Sequence, residues 1–114
     1  MEAIMEITTR KQDNAVVVTV KGKLDAVSSP EFEKGLAELI AEGEKVFIID
    51  FGELDYISSA GLRSILATAK KLKAKEGQLM LSTLKDVVKK VFEVSGFSSI
   101  IPIHESVESA LAQI

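Results

Sequence analysis

Residues 45–62 read Lys-Val-Phe-Ile-Ile-Asp-Phe-Gly-Glu-Leu-Asp-Tyr-Ile-Ser-Ser-Ala-Gly-Leu, and this stretch decides the fold. Its first part, residues 45–51, is an almost unbroken apolar run, which is typical of a central strand covered on both faces. We predict a turn at residues 52–55, after which apolar residues at helical spacing begin at Leu62. A buried strand that leads into a helix predicts an α/β fold.

The residues upstream of this stretch predict a hairpin followed by a helix. Alternation over residues 4–10 is weak, but residues 15–20 are dense in β-branched side chains and follow a turn signal at Asp13-Asn14. Pro30, preceded by serine, predicts the first turn of a helix with a serine N-cap, and Gly43 predicts its end.

The residues downstream predict three helices that alternate with strands. Apolar residues at helical spacing predict a second helix ending near Gly77, a third ending at Ser95-Gly96 and a fourth from about residue 106 to 113. Short apolar runs at residues 78–82 and 100–103 predict the strands between them.

These elements follow the order β-β-α-β-α-β-α-β-α. Strands separated by helices favour right-handed crossovers and parallel pairing, and the initial hairpin adds an antiparallel edge. We therefore expect a mixed, mostly parallel sheet of about five strands with about four helices. Because no linker or repeat interrupts the pattern, residues 1–114 are predicted to form one domain.

The composition argues against several functions. The chain has 114 residues, 14 of them basic and 17 acidic, a formal net charge of −3 and no cysteine. Disulfides and thiolate metal sites are therefore excluded, and this charge balance argues against nucleic-acid binding. His104 is the only histidine, so we expect no metal and place His104 in a solvent-facing loop. No phosphate-binding glycine loop is present, and we expect no cofactor.

We expect the protein to be cytoplasmic and not to bind a membrane. Its longest apolar runs, such as residues 46–49, are far too short to span a bilayer. The first residues, Met1 to Glu6, lack the basic and long apolar segments of a signal peptide.

Ser58 and Ser59 are the most informative polar residues, since both fall at the predicted start of the second helix. One interpretation is that a serine is simply the N-cap. The other is that an exposed serine there is a modification site, because a phosphate would meet the positive end of the helix dipole without disturbing the core. Position alone favours the cap.

Neighbouring residues also have two interpretations. Gly61 lacks a side chain either to let a partner approach or because it is crowded against a neighbouring strand. Arg63, one turn beyond Ser59, could orient a partner or pair with a phosphoserine. Lys70, Lys71, Lys73 and Lys75 complement the dipole at the end of this helix, and docking of an acidic partner is a secondary possibility.

At this point the chain resembles a known family. Residues 56–62 are similar to the phosphorylation loop of anti-sigma factor antagonists, the bacterial members of the STAS family. Residues 22–25 resemble that family's Gly-x-Leu-Asp element, residues 47–51 with Leu54 its central strand and turn, and residues 88–97 its third helix and exit turn. The resemblance is collinear over nearly the whole chain.

The resemblance implies a set of site residues. The phosphorylated serine of the family falls on Ser59, with Ser58 as the alternative because it stands where the family frequently has Asp. Partner binding is then expected at Asp25, Ser58, Ser59, Ala60, Gly61 and Arg63. Asp25 has a second interpretation, as a turn residue whose side chain caps the local backbone.

The resemblance also implies a function without catalysis. The unphosphorylated form would bind an anti-sigma factor that is also a serine kinase and so release the sigma factor. Phosphorylation would abolish binding, and a serine phosphatase would reset the system. This chain, expected to be a monomer, would supply no catalytic group.

Two other classes of function stay open. STAS domains also serve as scaffolds or subunits of larger sensory or transport complexes, and fold alone does not separate these uses. A small-molecule-binding domain or enzyme would need a pocket with convergent polar groups. A Ser59-His104-Asp25 triad can be drawn, but Ser59 lacks the Gly-x-Ser-x-Gly setting of a nucleophile elbow.

Overall fold

A computed structural model of the protein describes residues 5–114, so Ile4 of the first predicted strand lies outside it. In chain order the elements are β1 (Met5–Gln12), β2 (Ala15–Leu24), α1 (Ser29–Ala41), β3 (Val46–Ile57), α2 (Ser59–Ala74), β4 (Gln78–Ser82), α3 (Asp86–Ser95), a short 3₁₀ turn (Phe97–Ser99), β5 (Ile103–His104) and α4 (Val107–Leu111). The predicted order of strands and helices is confirmed.

The described residues form one five-stranded sheet with the strand order β1-β2-β3-β4-β5. β1 pairs with β2 in the antiparallel sense, as the hairpin prediction requires. The other three pairings are parallel. The sheet is therefore mixed and mostly parallel, and the carboxyl ends of β2 and β3 lie at the same edge.

Two apolar clusters lie on opposite faces of the sheet. The larger one joins alternate residues of the strands to α1, α2 and α3, and within it the rings of Phe51 and Phe92 stack with centroids 6.4 Å apart. The smaller one packs α4 against Val17, Ile48 and Met80. Full burial of such a side chain contributes about 1.5–3 kcal/mol to the stability of the fold. Residues of β3 belong to both clusters, which explains why its apolar run is continuous.

The predicted turn at residues 52–55 is wrong, because β3 continues through it to Ile57. Leu54 is fully buried and pairs with Gly22, and Ile57 pairs with Leu24. Two irregularities in the register between β2 and β3 accommodate this extension, and Gly22 has the positive φ of 91° that favours glycine.

The serine that precedes Pro30, predicted to cap the first helix, is instead the first helical residue. Ser28 occupies the N-cap position in a helical conformation, and its side chain makes no cap bond. Its hydroxyl instead donates to the carbonyl of Lys23 at 2.8 Å. Helix α1 begins at Ser29, with Pro30 in its first turn as expected.

The last predicted strand is displaced along the chain. It occupies Ile103–His104 instead of residues 100–103, since the amides of Ile100 and Ile101 bond back to Phe97. His104 is consequently half-buried in a strand and not in a solvent-facing loop, which corrects that expectation. Its Nε2 atom is buried and has no hydrogen-bond partner among residues 5–114.

Candidate functional site

The candidate site lies where β2 and β3 end beside the start of α2. The carbonyl of Leu24, the last residue of β2, accepts a hydrogen bond of 3.0 Å from the amide of Ser58. This bond fixes the start of α2 against the turn at residues 25–28 that follows β2. The carboxyl edge of parallel strands is where open α/β sheets present binding residues.

Ser58 and Ser59 occupy different positions in the helix. Ser58 is the N-cap: it has extended backbone angles, and its hydroxyl oxygen accepts from the amide of Gly61 at 3.2 Å. Ser59 is the first helical residue and is exposed, whereas Ser58 is half-buried. The capping interpretation therefore accounts for Ser58, and Ser59 presents its hydroxyl to solvent.

Gly61 is buried at the closest approach of α2 to β2. A Cβ atom on this residue would lie 2.5 Å from the carbonyl oxygen of Leu24 and 2.8 Å from a side-chain carbon of Ile57. The space left by the missing side chain is filled from within the protein. Crowding against the neighbouring strand explains this glycine, and it acts on the site by setting the position of α2.

Asp25 organises the turn next to Ser58. Its Oδ1 atom accepts from the amides of Val27 at 3.0 Å and Ser28 at 3.1 Å, and from the Ser28 hydroxyl at 3.2 Å. The side chain thus caps the local backbone, as one of the two interpretations predicted. Its Oδ2 atom makes no hydrogen bond among the described residues.

Bonding to the Ser28 amide is the main reason why the pKa of Asp25 is below its ordinary value of 3.8. Partial desolvation acts against this effect, and the Val27 amide, the Ser28 hydroxyl and the nearby Lys23 ammonium add to it. Asp25 is therefore ionised across the whole neutral range.

The remaining expected site residues lie on the exposed part of α2. Arg63 is exposed and, one turn beyond Ser59, shares its side of the helix. Ala60 is half-buried. Arg63 takes part in no ion pair or side-chain hydrogen bond within residues 5–114, so its guanidinium group is available for a new contact.

The structure does not bring together the trio Ser59, His104 and Asp25. Asp25 follows β2 and His104 belongs to β5, with β3 and β4 between these strands. Three strand spacings amount to about 14 Å, which is far beyond hydrogen-bonding reach. Residues 5–114 also contain no cluster of three or more acidic or histidine side chains that could hold a metal ion.

Comparison with known proteins identifies the fold family. Residues 6–110 match the STAS domain family. The chain belongs to this family. BtrV of Bordetella bronchiseptica, whose name describes it as an anti-sigma factor antagonist, is 42% identical over 108 residues, which cover 95% of this chain and 93% of the relative.

Solved structures show the same STAS fold. An anti-sigma factor antagonist from Mycobacterium paratuberculosis superimposes with a TM-score of 0.89 and 23% identity, over 96% of this chain and 93% of the other. The phosphorylated form of the Bacillus cell fate determinant SpoIIAA does so with a TM-score of 0.74 and 22% identity, over 95% and 98%. At such identities these likenesses establish the fold alone.

Two exposed apolar residues of the STAS site were not predicted from the sequence. Val27 is 77% exposed in the turn that Asp25 caps, and Tyr56 is 50% exposed near the end of β3. Val27 follows the end of β2 and Tyr56 lies near the end of β3, so the two residues flank the start of α2. Val27 lies in a turn without apolar periodicity and Tyr56 in the segment that resembles the phosphorylation loop, but no local pattern predicts the exposure of either side chain.

Asp25→Asn is expected to reduce the acid sensitivity of this STAS domain. Asparagine can still accept the two amide bonds but carries no charge. Since the folded pKa lies below 3.8, the charge of Asp25 contributes stability that is present above the unfolded pKa and is lost as pH falls through the folded one. Melting temperatures measured from about pH 5 to about pH 2 should fall more steeply for the wild type. Parallel curves would contradict this prediction.

The described residues include no helix long and apolar enough to cross a membrane.

Proposed function

We propose that this STAS domain is an anti-sigma factor antagonist that binds an anti-sigma factor and is switched off by phosphorylation of Ser59. The observation that carries the proposal is that the two serines occupy different positions at the start of α2. Ser58 caps α2, whereas Ser59 is exposed at the first helical position. A kinase can therefore reach Ser59 without breaking the bond that holds the helix start.

A phosphate on Ser59 is compatible with an intact fold. It would add about −1.5 to −2 charges and three acceptor oxygens at the positive end of the α2 dipole. The Gly61 amide bonds to Ser58 and the Leu62 amide to the Ser58 carbonyl. The amides of Ser59 and Ala60 have no partner inside the helix and can donate to the phosphate.

The same phosphate would oppose binding at this surface. Val27 and Tyr56 offer apolar contact area beside Ser59, and burying such area on a partner requires removal of water from the centre of the contact. A dianion in that position has to be desolvated, which costs several kcal/mol unless the partner supplies matched cations. Phosphorylation thus replaces a surface suited to contact with one that stays hydrated.

The proposed partners follow from this chemistry and from the relatives. The name of the Bordetella relative supports an anti-sigma factor as the bound protein. A protein of this fold, SpoIIAA, exists in a phosphorylated form, which supports a switch by phosphorylation. We propose that the anti-sigma factor is itself the serine kinase, that a serine phosphatase reverses the reaction, and that this chain acts as a cytoplasmic monomer without catalytic groups.

Incubation with the cognate kinase and ATP tests the choice of serine. The intact mass of the wild type is expected to rise by a single phosphate, and Ser58→Ala is expected to gain the same mass. Ser59→Ala should gain none. Loss of the Ser58 cap should lower the free energy of unfolding by about 1 kcal/mol, which leaves Ser58→Ala folded.

The two serine variants serve as controls for each other, since each removes one hydroxyl from adjacent positions. Modification of Ser59→Ala but not of Ser58→Ala would transfer the site to Ser58. If a kinase that binds the wild type phosphorylates neither serine, the proposed switch is contradicted.

A further inference from the structure

A groove lies toward the opposite end of α2 from Ser59. It has a volume of about 600 Å³ and runs between α2 and residues 100–102, the segment before β5. Its lining includes Leu66 and Ala69 of α2, Leu79 of β4 and Ile100. Ile100 is 61% exposed, so one wall of the groove is an uncovered apolar side chain.

The rim of this groove is basic. Lys70 and Lys73 line it, and both are exposed. The ion pairs among residues 5–114 involve Lys11, Lys21 and Lys85, so neither rim lysine is neutralised by an acidic neighbour there. The rim is thus locally positive, in contrast to the formal net charge of −3 of the whole chain.

The groove is well separated from Ser59. Lys70 and Lys73 follow Ser59 by 11 and 14 residues on the same helix, and a rise of 1.5 Å per residue places them about 16–21 Å away. Two Debye lengths at physiological ionic strength amount to about 16 Å. Lys70 lies at about this distance from Ser59, and Lys73 lies beyond it. A charge change at Ser59 is therefore strongly screened at the groove.

We infer that this groove docks an acidic amphipathic segment of a protein partner, in a manner independent of the state of Ser59. Apolar side chains of the segment would cover Ile100 and contact the half-buried Leu66 and Ala69. Its carboxylates would pair with Lys70 and Lys73. A small molecule is a poorer occupant, because small-molecule sites bury most of the ligand and this groove has an exposed wall. The inference does not rest on the proposed switch.

The test uses a synthetic helical peptide of about 15 residues, with leucines along one face and glutamates along the other. Titration into the full chain, followed by amide NMR shifts, should show saturable binding with the largest shifts at residues of the groove. The double variant Lys70→Glu/Lys73→Glu should weaken binding at least about tenfold. Ile100→Ser, a change at an exposed position, should weaken it about fivefold.

The matched control is Lys71→Glu/Lys75→Glu. It makes the same change of net charge on the same helix, at exposed lysines that do not line the groove. This variant should change the affinity by less than about threefold. Equal weakening by both double variants would reduce the effect to bulk electrostatics and overturn the inference. So would equal binding of a peptide with lysine in place of every glutamate.

Three further measurements address other occupants and the switch. If decanoate binds the groove and displaces the peptide, the groove is a small-molecule site. If the chain self-associates and Lys70→Glu/Lys73→Glu abolishes this, the groove is a contact between copies of the chain. Either result overturns the inference. Ser59→Asp should bind the peptide as the wild type does, so failure of the groove and failure of the switch are distinguishable.

Discussion

Gly61→Ala is expected to lower the free energy of unfolding by about 3 kcal/mol. The added Cβ would lie 2.5 Å from the Leu24 carbonyl oxygen, a separation that backbone atoms do not tolerate. Relief requires α2 to move away from β2, which weakens the apolar contacts of Leu62 and Ile65 beneath it. Urea unfolding followed by circular dichroism measures the loss.

Gly35→Ala is the matched control for this substitution. Gly35 also lies inside a helix, α1, but a Cβ atom there meets nothing within 4 Å. Alanine at this position should raise the free energy of unfolding by about 0.5–1 kcal/mol, since it restricts the unfolded chain. Similar effects of the two substitutions would contradict the crowding assigned to Gly61.

Phosphorylation of Ser59 is expected to weaken binding of the anti-sigma factor at least about 100-fold, which corresponds to about 2.7 kcal/mol. The dianion would have to be desolvated between Val27 and Tyr56, as argued above. Ser59→Ala should bind like the unmodified wild type, and Ser59→Asp should lose part of the affinity because aspartate carries less charge than phosphoserine. Surface plasmon resonance with the immobilised partner measures these affinities.

Ser98→Asp controls for charge alone, because it places the same charge on another exposed serine, in the turn after α3. It should leave binding unchanged. Arg63→Ala should lower the affinity of the unmodified form while leaving the fold intact. Equal binding of phosphorylated and unmodified protein would contradict the proposed switch, and unchanged affinity of Arg63→Ala in both states would remove that residue from the interface.

The order of elements was predictable because it depends on apolar periodicity, which burial enforces. The run at residues 46–51 contributes to both apolar clusters, so its assignment as a central strand followed from composition alone. The helices were likewise marked by apolar spacing and by terminal glycines such as Gly43 and Gly96, both with positive φ.

The errors occurred where tertiary contacts override local signals. Gly52 and Asp55 read as turn residues, and they lie at the two irregularities in the register between β2 and β3. The strand continues past them because Glu53, Leu54 and Tyr56 pair with β2. The serine before Pro30 reads as a cap, yet it lies inside the helix, and the hydroxyl of Ser28 at the N-cap position donates to the Lys23 carbonyl. Such competition between partners distant along the chain is not encoded in a local pattern.

The candidate site was predicted in its position but not in its detail. Helix spacing placed both serines at the start of α2, and the structure separates them into a cap and an exposed residue. The exposure of Val27 and Tyr56 depends on the twist and irregular register of β2 and β3, which no single-sequence argument supplies.

The unequal lengths of the strands have a mechanical consequence. β4 pairs with β3 only as far as Asp50, so the rest of β3 has β2 as its single strand neighbour within residues 5–114. Beside that part of β3, β2 is also paired with β1 as far as Gly22, so the serine that we propose as the switch follows a part of the sheet in which β3 is the edge strand. The backbone of β3 beyond Asp50 is thus held by one ladder of hydrogen bonds, whereas residues 47–50 are held by two, so the end of the strand is expected to open more readily than its middle.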